Sequence, residues 1–456
     1  MIHQLQRAVI PVYFVLCLLL GGASAAGFPA NMLLQLLALP LIGWAILARR
    51  GVPAPSSSRQ LFILVLLLLL LITAQLIPMP PALWTALPGR GEIISGYRLL
   101  EFSLPWLPIS VTPYLTVASA LWLLPALAVL VGIVRLGAFR ANWIAFALIG
   151  VTITGVALGA VQRAGNDAGY FYEITNYGMA TGFFSNANHM GTLLMATVPF
   201  VAAIYLVERR RSRSAQHASG LLVILAGITG VLVVGIAING SLAAIGLAVP
   251  VIGATGVMLL SRIRKVPSWA IVPLLVVTLL GIALIFSRPL GNNLTAGDAQ
   301  TNPVSRATSF ANTIHAAKDY FPTGSGIGSF NTIYPMYENS ATLTTTYVNH
   351  AHSDLLEVAL ETGIAGMALL ALFLIWWVRR AFVIWRAEEP DQFARAATIA
   401  SGAILAHSLV DYPLRTAAIS ALFAACCALM TEPRPVASQR EIERERERGA
   451  RHLTAD

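Results

Sequence analysis

The chain has 456 residues, of which 57% are hydrophobic and only 11% charged, far more apolar surface than a soluble core of this length needs. A formal net charge of +9 would suit a nucleic-acid binder, but the Lys and Arg residues stand in short clusters between apolar runs instead of along one face. A soluble globular domain is thereby excluded, and no nucleic-acid partner is expected.

A membrane span needs roughly 20 apolar residues. Such stretches are predicted at 8–26, 31–48, 60–78, 114–134, 141–161, 188–207, 219–237, 241–260, 268–287, 361–378, 393–410 and 416–431. The expected fold is all-α, a polytopic integral membrane protein of about twelve transmembrane helices. Residues 1–432 form the transmembrane domain, with one large periplasmic loop at 288–360, and 433–456 form a charged cytoplasmic tail. The first segment ends in Ala23-Ser24-Ala25-Ala26 like a signal peptide, yet further spans follow at once, so it is read as a retained helix. Cys17, Cys426 and Cys427 all fall inside apolar runs and read as small hydrophobes, with no disulfide or metal.

Lys and Arg are retained on the cytoplasmic side. With both termini cytoplasmic, only Arg90, Arg98, Arg163, Arg288, Arg306, Lys318 and Arg415 of the 30 basic residues fall outside, and every internal cytoplasmic loop is basic. The segments 79–113, 162–187 and 288–360 then face the periplasm, and loops of that length are usually functional or disordered. Within the third, Phe310, Ile314 and Ala317 recur at helical spacing, which predicts an amphipathic helix over Val304 to Tyr320.

Three outer clusters carry the candidate chemistry. His350, His352, Asp354, Glu357 and Glu361 crowd the mouth of an apolar helix in YVNHAHSDLLEVALETG, where ionisable groups are costly and usually kept for function. His350 and Asp354, or Glu357 and Glu361, are one turn apart on a helix face, and a His backed by a carboxylate can act as a general base. The bland alternative is a helix cap; no helical metal-ligand spacing fits, so neither metal nor cofactor is expected. Arg306 and Lys318 are cations in a segment depleted of them, as if to hold an anionic group such as a diphosphate. Gly324, Gly326 and Gly328 would let the backbone approach a ligand closely or simply turn. A second cluster, Asn186, Asn188 and His189, opens a span, with Ser185 or Asn186 as its cap. In the third, Asp411 and Arg415 occupy a short outer turn below His407, and a local ion pair is the simplest account.

These phrases, in this order, resemble the O-antigen ligase/Wzy polymerase family. The family pattern is matched by Gly182-Phe183-Phe184 with Asn186-Ala187-Asn188, by Arg306, by Gly324-Ser325-Gly326-Ile327-Gly328-Ser329-Phe330, and by His352-Ser353-Asp354-Leu355-Leu356 with Glu361-Thr362-Gly363, over roughly residues 150–430. Many members carry an Arg near the Asn-x-Asn phrase, where this chain has Met179 and Ala187. The resemblance implies an inverting, metal-independent transfer of a glycan from undecaprenyl diphosphate to an acceptor at the periplasmic face of the bacterial inner membrane. The acceptor would be lipid A core, another glycan or a protein. His352, with His350, would activate the acceptor, and Arg306, with Arg163, would neutralise the departing diphosphate; Lys318, Gly326, Gly328, Asn186, Asn188, Asp354, Glu361 and Arg415 would line the substrate site. A secondary transporter is the alternative from another class, but it requires polar residues along mid-membrane faces, whereas here they gather at the outer ends.

Overall fold

The computed structural model describes residues 2–24, 29–48, 56–137, 142–165, 167–211, 215–261, 306–340 and 348–431. The predicted span 268–287, the loop up to 305 and the charged tail lie outside the described residues. Within them the protein is all-helical, and eight helices are long and apolar enough to cross a membrane. The expected multi-pass helical bundle is thus present, with eight such helices among the described residues against the twelve predicted for the whole chain.

The first half runs α1 (Ile2–Leu20), α2 (Pro29–Leu47), α3 (Ser56–Leu76), the short α4 (Pro81–Trp84) and α5 (Gly91–Leu99), then α6 (Pro113–Trp122), α7 (Leu124–Leu136) and α8 (Trp143–Arg163). The predicted span 114–134 is two helical pieces that break at Leu123, just before Pro125, as a proline in the first turn of a new helix allows. The second half runs α9 (Ala187–Arg211), α10 (Ala215–Asn239), α11 (Leu242–Leu260), α12 (Arg306–Asp319), the single turn α13 (Phe330–Ile333), α14 (Asp354–Arg386), α15 (Gln392–His407) and α16 (Ala417–Thr431).

Helix α9 is the axis of the bundle. Its apolar window is 89% buried against 17% for α3, because α8, α10, α11 and α15 all pack around it, while α3 keeps a broad Leu face turned outward, with Leu66 and Leu70 exposed. The three helices that frame the site start on side-chain caps, which satisfy backbone N–H groups that a helix start leaves without partners. Asn186 Oδ1 accepts from Asn188 N at 2.8 Å, Ser353 Oγ accepts from Leu356 N at 3.4 Å, and Asp391 Oδ1 accepts from Phe393 N at 2.8 Å.

The amphipathic helix predicted over 304–320 is present as α12, but its buried face is Ser309, Thr313 and Ala316, one residue away from the expected Phe310, Ile314 and Ala317, and Ile314 is exposed. Small side chains on that face let α12 settle against α14, with Ser309 Oγ 3.5 Å from the Ala351 carbonyl. Helix α14 bends at Gly363, whose φ of 55° is outside the helical region. A Cβ there would lie 2.0 Å from the Pro322 carbonyl oxygen, so only glycine lets the 322–328 loop press against the helix.

Candidate active site

The three polar clusters, distant in sequence, meet at one end of the bundle. The first turn of α14 is pinned to the turn between α15 and α16, because Asp354 N donates to the carbonyls of Ser408 at 2.9 Å and Asp411 at 3.2 Å. Tyr412, buried in that turn, is the common wall. Its ring centroid lies 4.5 Å from that of His350, 5.1 Å from His352 and 5.1 Å from His189 at the start of α9.

One side of this junction is organised by Arg415. The guanidinium meets Asp354 at 3.4 Å, Glu357 at 3.1 Å and Glu361 at 3.1 Å, three carboxylates spaced one turn apart on the buried face of α14. Burial opposes its charge, but the carboxylates, Glu357 foremost, drive its pKa above the ordinary arginine value. The Asp411–Arg415 ion pair expected from their spacing gives way to this arrangement, because Arg415 turns toward α14 and Asp411 toward the histidines. Arg415 thus reads as the neutralising hub of an acidic helix face, and an incoming diphosphate would meet acids there.

His350 belongs to the same side. Its Nδ1 is 3.1 Å from Glu357 Oε1 and its Nε2 is 3.3 Å from the Ser24 carbonyl. A carboxylate and a carbonyl both accept, an arrangement that favours a proton on each ring nitrogen and so the cationic form. Its pKa is raised accordingly: burial pulls it down and the Glu357 charge and hydrogen bond more than restore it. A cationic ring of this kind is a poor general base.

His352 is held differently. It is buried at 8% exposure with φ of 53°, a left-handed conformation that costs a non-glycine residue about 1 kcal/mol or more and that persists only where its surroundings impose it. Its Nδ1 faces Asp411 Oδ1 at 3.6 Å. The same oxygen accepts from Tyr412 N at 2.9 Å, while Asp411 Oδ2 faces His407 Nε2 at 3.8 Å. Burial alone would raise the pKa of Asp411; His352 foremost, with the neighbouring His189, His407 and Arg306, holds it well below the usual carboxylate range. Arg306, at the first position of α12, is therefore near enough for its charge to act on the same carboxylate.

The other expected site residues fall in two groups. Asn188 Oδ1 accepts from Ser241 Oγ at 2.6 Å, tying α9 to α11, and Asn186 caps α9 and reaches Tyr412. Glu361 Oε1 accepts from Gly328 N at 2.9 Å, and Gln75 clamps the same loop by donating to the Glu361 carbonyl at 2.9 Å and accepting from Ile327 N at 3.0 Å. Gly326 and Gly328 have φ of 103° and 83°, and a Cβ on them would strike Ser110 and Ser119. Their glycine requirement is thus met by protein packing. Lys318 is exposed on α12, twelve residues from Arg306, which at 1.5 Å per residue is about 18 Å along the axis. Arg163 is exposed and donates to the Gly178 carbonyl at 2.9 Å, holding the loop between α8 and α9.

Sequence reasoning singled out His352, Arg306 and the acids of α14. It missed Asp411 as the partner of His352 and Tyr412 as the wall, although the four-residue step from His407 to Asp411 placed both on one face.

Residues 227–371 match the family model described as O-antigen ligase. The match supports assignment of the chain to the O-antigen ligase/Wzy family. The matched segment contains Arg306, the glycine loop, His350, His352 and the acids of α14, and ends before Asp411 and Arg415. It supports an enzyme of glycan transfer of the ligase or polymerase type, acting on lipid-linked glycan and acceptor substrates in general. No curated protein gives a significant match to the chain.

Proposed function

We propose that this O-antigen ligase-family protein transfers a glycan from undecaprenyl diphosphate to an acceptor hydroxyl at the periplasmic face of the bacterial inner membrane, with inversion at the anomeric carbon and without a metal. The observation that carries the reading is His352, fixed in a left-handed conformation with the carboxylate of Asp411 behind its Nδ1. An ionised carboxylate at that position favours the tautomer with the proton on Nδ1 and the lone pair on Nε2, the atom that takes the proton of the attacking hydroxyl. As the acceptor oxygen bonds to the anomeric carbon, the bond to the diphosphate oxygen breaks and the electron pair leaves with the lipid diphosphate. Arg306 is the cation placed to meet that charge, and a fixed cation in a poorly hydrated site supplies a large part of such stabilisation.

The positive-inside charge distribution supports this topology, in which both termini are cytoplasmic and the outer ends of α8, α9, α14 and the α15–α16 turn face the periplasm. The test is genetic and chemical. A deletion strain complemented with the wild-type gene regains surface glycan, and one complemented with His352→Ala accumulates undecaprenyl diphosphate-linked glycan; full surface glycan with the Ala variant at equal protein level rules the reading out. The linkage of the accumulated glycan separates acceptors, since unligated long chains, single repeats and bare glycoprotein are different products.

A further inference from the structure

His407 has no part in the transfer just described, yet it is one of the fully enclosed members of the cluster. It is fully buried at the end of α15, with Nδ1 2.7 Å from the Thr192 hydroxyl of α9 and Nε2 3.8 Å from Asp411 Oδ2. Thr192 is itself 3.0 Å from the Asn188 carbonyl, and its hydroxyl has one proton to give. If that proton goes to Asn188, the neutral ring must donate from Nδ1, and an Nε2 lone pair is then turned toward a buried carboxylate. If it goes to Nδ1, the ring proton sits on Nε2 and faces Asp411. With Asp411 ionised, electrostatics selects the second arrangement.

We propose that His407 is a positioning residue: its Nε2–H holds Asp411, and through it His352, while the Thr192 hydroxyl fixes the tautomer that makes this possible. The proposal rests on the reading of His352 as the base. Its other carboxylate oxygen is already anchored by Tyr412 N at 2.9 Å, so His407 is what stops the carboxylate from rotating about that anchor. At 3.8 Å the contact is longer than a hydrogen bond, in keeping with catalytic contacts that tighten when substrate is bound. His189, also fully buried, and Arg306 of α12 are near enough for their charge to act on the same carboxylate.

The direct test is nitrogen NMR of the full-length protein in nanodiscs with 15N-labelled histidine, the His407 signals being those that vanish in His407→Gln. The proton on Nε2 with a bare Nδ1, disturbed by Thr192→Val and by Asp411→Asn, is the expected result, and a His407 protonated on Nδ1 alone overturns the proposal. In the complementation assay His407→Phe is expected to lower surface glycan about ten-fold, a part of the 10²–10⁴ that a general base supplies. His407→Gln, which keeps a side-chain N–H, and Thr192→Ser restore most of it. Equal losses in folded Phe and Gln variants would show that volume alone matters and end the proposal. The NMR result needs no activity, so a fully active His352→Ala would sink the function reading while leaving the tautomer of His407 decided.

Discussion

Arg415 and Asp411 stand on one short turn, four residues apart, and organise opposite halves of the same buried junction. Around Arg415 every distance is that of a formed ion pair, 3.1 to 3.4 Å, and the acids outnumber the cation. Around Asp411 the two imidazoles stand at 3.6 and 3.8 Å, and His189 beside them has no hydrogen-bond partner on either nitrogen among the described residues. A saturated cluster fixes helices and resists change, whereas a loose one leaves proton acceptors available. The contrast separates the half that holds α14 in place from the half proposed to carry the chemistry.

Removing Arg415 is the largest perturbation of this contrast. Arg415→Ala takes the shared cation from three buried carboxylates and leaves only His350 beside Glu357, and breaking a buried ion pair by removing one partner costs about 3–5 kcal/mol. The expected outcome is a steep fall in thermal stability and monodisperse yield in detergent, and a variant that melts like the wild type would show that the hub is not structural. His352→Ala, in the loose half, is expected to do the reverse: unfolding temperature close to the wild type, and glycan transfer down by about 10²–10⁴, read from donor accumulation at matched protein level.

A smaller effect should appear with pH. His350 has its pKa raised in the folded protein by Glu357, against the opposing penalty of burial. Stability from this pair is therefore complete below the ordinary histidine value near 6.5 and is lost as the pH rises through the higher folded value. Unfolding temperatures followed from about pH 6 to about pH 9 should decline in the wild type beyond the decline in His350→Gln; parallel curves would mean that His350 is not cationic. Lys318→Ala marks the lower end: exposed and about 18 Å along α12 from Arg306, it is expected to leave surface glycan within about two-fold, a change of well under 1 kcal/mol. A loss as large as that of Arg306→Ala would place Lys318 in the site after all.

Much of this was legible in the chain. The apolar runs marked α2, α3, α8 to α11, α15 and α16 to within a few residues, and the middle of α14, because a bilayer demands continuous apolar length that nothing else in the sequence requires. His352 stood out for the same reason, as a polar residue at the mouth of such a run, and so did the acids behind it. Periodicity found α12 but turned its buried face by one residue, since apolarity ranks Ile314 above Ser309 and Thr313 whereas close packing against α14 favours the smaller pair.

The pairings were another matter. Spacing joined Asp411 to Arg415 and His350 to Asp354, and the folded protein joins Arg415 to three acids of α14, His350 to Glu357, and His352 to Asp411. Charge and hydropathy act along the chain and so determined the membrane class, the helices and the polar ends where chemistry gathers. Which acid faces which base depends on how α9, α14 and the α15–α16 turn converge on Tyr412, a result of packing between segments some two hundred residues apart, and only the tertiary structure decided it.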